Sequence, residues 1–136
     1  MTTTGDVSVL LVDDQAPFRR MARAVVDQVD GFELVGEAET GEQGVALAQA
    51  LHPALVLMDV HMPGMDGIEA TRRILAAQPE ATIVLCSTVE FGDLPATAAM
   101  SGACAYLNKD GLGVDCLRRL WEGRNDGPFR SVPRLP

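Results

Sequence analysis

The sequence predicts an α/β domain built on a single five-stranded parallel sheet with helices on both faces. Three observations lead there. Apolar runs of strand length alternate five times with segments of helical periodicity. Residues 55–58 and 82–86 are unbroken apolar runs without polar alternation, as strands buried on both faces are. Polar residues gather where the runs end: Asp13 and Asp14, Asp59, Ser87 and Lys109 each follow a different strand.

The elements follow in order. Residues 7–12 (VSVLLV) are the first strand, ending at Asp13-Asp14. Phe18, Met21, Ala22, Val25, Val26 and Val29 then recur on one face of a helix, with Pro17 in the first turn, where its missing N–H is harmless. Gly31 breaks that helix, and residues 32–38 read as the second strand. Thr40-Gly41-Glu42-Gln43 is a capping box that opens a helix running to about Leu51, stopped by His52-Pro53. The central strand, LVLM, delivers Asp59 at its carboxyl end, outside which open α/β sheets bind ligands. Met62-Pro63-Gly64 turns the chain, and Asp66 with Glu69 three residues on starts the next helix. That helix, from Gly67 to about Gln78, buries Ile68, Thr71 and Leu75, shows Arg72 and Arg73 to solvent and stops at Pro79. The run TIVLC ends at the hydroxyls Ser87 and Thr88. A fourth helix is weakly written, since Gly92, Pro95 and several alanines leave only Leu94 and Met100 as large apolar residues, and we expect it to be short. Residues 103–107 are the fifth strand, followed by Asn108-Lys109-Asp110. Val114, Leu117, Leu120 and Trp121 mark a last helix that Gly123 can cap.

These limits divide the chain into a flexible N-terminus over residues 1–6, one domain over 7–123, and a tail or linker remnant over 124–136 that carries Gly, three prolines and no period. A chain of 136 residues supports one core rather than two. No apolar run approaches the ~20 residues of a membrane span, and the N-terminus has neither a basic region nor a long apolar one, so a cytoplasmic location without membrane contact is expected. A net charge of -8 opposes indiscriminate nucleic-acid binding. Cys86, Cys104 and Cys116 form no CxxC pair and read as small buried hydrophobes. The two histidines, His52 and His61, lack metal-like spacing.

Three carboxylates in one cleft repel, so either protons or a cation must join them. Magnesium fits, because it takes hard oxygen ligands and completes its shell with phosphate. A carboxylate can attack phosphorus to form an aspartyl phosphate, with Lys109 and a hydroxyl such as Ser87 answering the charge on the phosphoryl oxygens. Taken singly, each acid reads as an N-cap or a solvated loop residue and Lys109 as its salt-bridge partner; taken jointly, their types and order make a site.

Asp13-Asp14, the stretch MDVHMPGMDG with Asp59, Ser87-Thr88 and AYLNK with Lys109 resemble, from about Val7 to Gly123, the receiver domain of bacterial two-component response regulators. The resemblance implies a flavodoxin-like sheet with strand order 2-1-3-4-5 and a phosphoacceptor, not a turnover enzyme. It implies that Asp59 takes a phosphoryl group from a histidine kinase. Asp14, Asp59 and the backbone carbonyl of His61 would hold magnesium, with Asp13 acting through water. Ser87 and Tyr106 resemble the switch pair, the hydroxyl moving toward the phosphoryl group and the ring turning inward behind it. Asp110 stands where many receivers have proline, a feature that, like MDVHMPGMDG, is similar to the nitrate-regulator subfamily. Members of that subfamily continue into a DNA-binding helix-turn-helix. The tail after Gly123 offers no recognition helix, so we expect output through protein contact, with a homodimer or another protein, on the face of the fourth helix, fifth strand and last helix.

Other readings compete. A haloacid-dehalogenase-like phosphatase needs an aspartate two residues after the nucleophile, where His61 stands. A flavodoxin-like binding module needs a phosphate-cradling loop after the first strand, where Asp13-Asp14-Gln15 stands. A receiver-fold interaction module that works without phosphorylation, and the N-terminal part of a DNA-binding transcriptional regulator, remain open.

Overall fold

A computed structural model describes residues 6–132. The expectation of a flexible N-terminus falls on residues of which all but Asp6 lie outside that range, as do residues 133–136. Six parallel strands form one sheet in the order β2-β1-β3-β4-β5-β6. They are β1 (Val7–Val12), β2 (Phe32–Ala38), β3 (Leu55–Asp59), β4 (Thr82–Ser87), β5 (Ala105–Asn108) and β6 (Arg130–Val132). The helices are α1 (Ala16–Asp27), α2 (Gly41–Leu51), α3 (Gly67–Ala77), α4 (Ala96–Ala99) and α5 (Val114–Glu122).

Side-chain alternation along the strands divides the core in two. Val9, Leu11, Leu55 and Leu57 face α1 and α5, meeting Phe18, Val26, Leu117 and Leu120. Leu10, Val12, Val56 and Met58 face the other way and meet Ala48, Ile68 and Ile74 of α2 and α3. β3 is buried at every position, as its unbroken apolar run requires.

The helix starts form where their capping residues stand. Thr40 accepts a hydrogen bond from the Gln43 backbone N–H, and Asp66 accepts one from that of Glu69. His52 ends α2 in the left-handed region, at φ 49°. The fourth helix is short, four residues preceded by a 3-10 turn at Phe91–Asp93.

Three expectations need correction. The sheet has six strands, not five: residues 130–132, assigned to a patternless tail, pair in parallel with β5. Three residues are too few to show a period, and their pairing is set by the turn that brings them back. On α3, Ile74 is buried and Leu75 only half-buried, a one-residue error of helical phase. Met21, on the apolar stripe of α1, is 39% exposed. The three cysteines are free, with Cys86 and Cys116 buried and Cys104 half-buried.

Candidate functional site

Strand register brings the polar strand ends to one edge. Val12 pairs with Met58, Asp59 with Cys86, and Ser87 with Asn108, so the ends of β1 and β4 flank that of β3 and the residues that follow β5 stand one strand further out. Asp13 is wholly buried. Its Oδ1 accepts the Gln15 backbone N–H at 2.8 Å, and its carbonyl accepts Arg19 Nη1 from α1 at 2.7 Å. Asp14 is exposed at the mouth. Asp59 is buried at the end of β3. Lys109, in the 3-10 turn after β5, reaches back beneath both acids: Nζ lies 2.7 Å from Asp13 Oδ2 and 3.4 Å from Asp59 Oδ1. The remaining side of the ammonium faces the Phe18 ring, 4.6 Å from its centroid.

Backbone geometry at the end of β3 depends on Gly67. A Cβ there would meet the Asp59 carbonyl oxygen at 1.9 Å, so only glycine lets α3 begin this close to the acid. The Gly67 N–H donates to the Val60 carbonyl at 2.9 Å, which ties the loop between them.

Burial above all, then the neighbouring Asp13 charge, pushes the Asp59 carboxyl up to about 7; Lys109 acts against them, and Asp14 adds a smaller upward push. For Lys109 burial works to lower the pKa, but the contacts with Asp13 and Asp59 outweigh it and hold the ammonium above its ordinary value. The acid is thus poised while the lysine stays charged. Asp13, Asp14 and Asp59 each present a carboxylate oxygen, all within 4.8 Å of one another. Hard oxygen donors this close suit a small divalent cation, which would relieve the repulsion that raises Asp59. The His61 side chain is exposed, and among the described residues only the three aspartates form this cluster.

Ser87 ends β4 on the neighbouring strand, one residue beyond the partner of Asp59; its Oγ accepts the Val89 N–H at 3.3 Å. Tyr106 is wholly buried behind it, with Oη donating to the carbonyls of Ser87 and Val89. Asn108 Nδ2 donates to the same Val89 carbonyl at 3.1 Å. The ring therefore lies inward, behind Ser87.

Phe18, Arg19 and Gly67 escaped the sequence reading of the site. Phe18 reads there only as a core position of α1 and Gly67 as a helix start, and Arg19 is not singled out. A motif search at strand ends finds none of them, because they reach the cleft from helices.

Residues 9–119 match the response regulator receiver domain family. The chain belongs to that family. It is 36% identical over 122 residues to the response regulator GacA of Pseudomonas aeruginosa, covering 87% of this chain and 56% of that protein. The response regulator UvrY of Escherichia coli K12 is 34% identical over 121 residues, with the same coverage. The chain thus spans little more than half the length of these curated relatives. Among solved structures, a LuxR-family two-component response regulator from Aurantimonas sp. SI85-9A1 superposes with a TM-score of 0.81 at 28% identity, covering 93% of this chain and 90% of the other. The NarL receiver domain of Mycobacterium tuberculosis, at 24% identity and a TM-score of 0.80 over 90% of this chain and 98% of that one, shares the fold. Receiver domains are phosphoacceptors of two-component signalling, and this chain is a receiver domain.

Proposed function

We propose that Asp59 is the phosphoacceptor and that a histidine kinase is the donor. The observation that carries the reading is a buried carboxylate, raised to about 7, that faces a buried charged lysine and sits beside two further acids. An Asp59 carboxylate oxygen forms a bond to phosphorus as the phosphorus–nitrogen bond of the kinase phosphohistidine breaks, and the electron pair stays on the imidazole nitrogen, which takes a proton. Lys109 Nζ lies 3.4 Å from Asp59 Oδ1, near enough to pair with a phosphoryl oxygen carried there. Ser87 Oγ, held by one long bond from Val89, is free to turn and donate to another. Magnesium suits the acidic cluster: Asp14, Asp59 and the His61 carbonyl would hold it, with Asp13 contributing through water. When bound it supplies charge neutralisation at the phosphoryl oxygens.

Output runs through protein contact on the face of α4, β5 and α5, toward a homodimer or another protein. The relatives GacA and UvrY are longer response regulators, and in a longer protein this domain would govern the segment that follows it. No helix among the described residues is long and apolar enough to cross a membrane, and a cytoplasmic setting agrees with a kinase partner. A second reading, a receiver that signals by contact without phosphorylation, draws on the buried position of Tyr106.

Incubation with a small phosphodonor and magnesium, followed by intact mass, separates the two. Wild type gains one phosphoryl mass and Asp59→Asn gains none. An adduct that persists in Asp59→Asn defeats the assignment, and no adduct on wild type favours the second reading.

A further inference from the structure

The sheet continues past β5. After α5 the chain turns back and lays Arg130–Val132 parallel to β5, with Arg130 opposite Ala105, Ser131 opposite Tyr106 and Val132 opposite Leu107. β6 therefore covers the outer edge of the strand that carries Tyr106. Its attachments are few. Val132 joins the core on the α1 and α5 side, while the Phe129 ring on the other side lies 5.7 Å from that of Phe91. Arg130 donates to the carbonyls of Asp126 and Gly123, bonds that stabilise the returning turn without holding it to β5. A cleft of about 330 Å³, lined by Glu90, Phe91, Tyr106, Asn108, Asp110 and Ser131 among others, leaves the join with the segment after β4 incompletely packed. Three residues are also fewer than the five or six of a typical strand, and such an edge opens at low free energy.

Phe91 connects this strand to the phosphoacceptor site. Its ring lies 6.0 Å from Tyr106 and 5.7 Å from Phe129. Two residues earlier, Val89 donates its N–H to Ser87 Oγ and accepts Tyr106 Oη and Asn108 Nδ2 at its carbonyl. A Ser87 side chain that swings its Oγ toward a phosphoryl oxygen on Asp59 carries that oxygen away from the Val89 N–H, which meets it at 3.3 Å. The segment from Val89 to Phe91 then loses one of its anchors, and Phe91 is the aromatic contact of Phe129.

We propose that residues 129–132 are a displaceable strap on the β5 edge, released when Asp59 is phosphorylated, with Ser87, Val89 and Phe91 as the physical connection. The proposal rests on the phosphoacceptor reading above. In place, the strap satisfies the outward backbone groups of β5. Once released, it leaves them open to solvent. Linkage makes the coupling reciprocal: the factor by which a phosphoryl mimic weakens the strap is the factor by which a weakened strap tightens binding of the mimic.

Hydrogen exchange on the full chain tests this, with beryllofluoride and magnesium as the phosphoryl mimic and fluorine NMR to register the adduct on Asp59. Protection of the amides of residues 105–107 and 130–132 should fall by about tenfold when the adduct forms. Phe129→Ala should lower the same protection without the mimic and bind beryllofluoride several-fold more tightly, with Phe129→Leu between it and wild type. An adduct that leaves protection at residues 130–132 unchanged, in wild type and both variants, overturns the strap while the phosphoacceptor reading stands. Failure of any adduct to form on Asp59 overturns that reading, and the coupling with it.

Discussion

Lys109 Nζ sits closer to Asp13 than to Asp59, 2.7 Å against 3.4 Å. The lysine is thus anchored on the acid that stays put and leans toward the one proposed to react. Its ammonium is enclosed by two carboxylates and the Phe18 ring, and removing it would leave the carboxylates buried without their cation.

Lys109→Met should therefore destabilise the protein by about 3 kcal/mol at pH 8 and by clearly less at pH 5, below the raised pKa of Asp59, where that carboxyl carries a proton instead. Urea unfolding at the two pH values measures the difference. Equal losses at both would show that the ammonium does not balance these acids.

Stability itself should depend on pH through Asp59. Its carboxyl lies at about 7 in the fold against an ordinary 3.8, so the folded protein binds that proton more tightly than the unfolded chain does. The contribution is complete below about pH 4 and is lost as pH rises through about 7, a change on the order of 1 to 3 kcal/mol. Asp59→Asn should remove this slope and leave a protein more stable than wild type at pH 8. Magnesium should flatten the wild-type slope as well, since a cation at the cluster favours the carboxylate. Thermal melts of wild type and variant from pH 4.5 to 8 decide the matter.

Asp14 offers a cleaner separation of chemistry from folding, because it is exposed. Asp14→Ala should change stability by no more than about 0.5 kcal/mol, yet abolish magnesium-dependent phosphorylation of Asp59. Unchanged phosphorylation at saturating magnesium would remove Asp14 from the proposed metal site.

Gly67→Ala should destabilise the fold by about 2 to 4 kcal/mol. The new methyl group cannot share space with the Asp59 carbonyl oxygen, so either the start of α3 or the end of β3 must move. Because that carbonyl belongs to the acid itself, phosphodonor reactivity should fall more than in a core variant of equal stability. Phosphorylation rates compared with Ile74→Ala, whose side chain is buried on the same helix and whose loss costs about 2 to 5 kcal/mol, provide the reference.

Much of the candidate site is legible in the sequence, for a physical reason: a strand buried on both faces has to be apolar, so the first polar residue after it marks the sheet edge. Asp13, Asp59 and Ser87 all stand out in that way, and Lys109 stands one residue beyond Asn108, which does. The helix starts at Thr40 and Asp66 were equally readable, since their partners lie three residues on. Longer-range contacts were not. Nothing local distinguishes Phe18 as a companion of Lys109, and Arg19 meets the carbonyl of Asp13 only because α1 folds back across β1. β6 escaped for the opposite reason, having too few residues to display a pattern.

The direction of β6 also governs how the protein can be instrumented. α5 returns the chain to the edge of the sheet opposite Asp59, and a chain leaving there would depart away from the cleft. A parallel sixth strand carries it across once more, so that the backbone at Val132 points out on the same edge as Asp59 and Lys109. A fluorophore or affinity tag attached at Val132 sits on the segment proposed to move, on the sheet edge that carries the cleft. Attached ahead of Val7, the same label enters from the far edge, which makes the N-terminal side the place for an inert handle and the C-terminal side the place for a reporter.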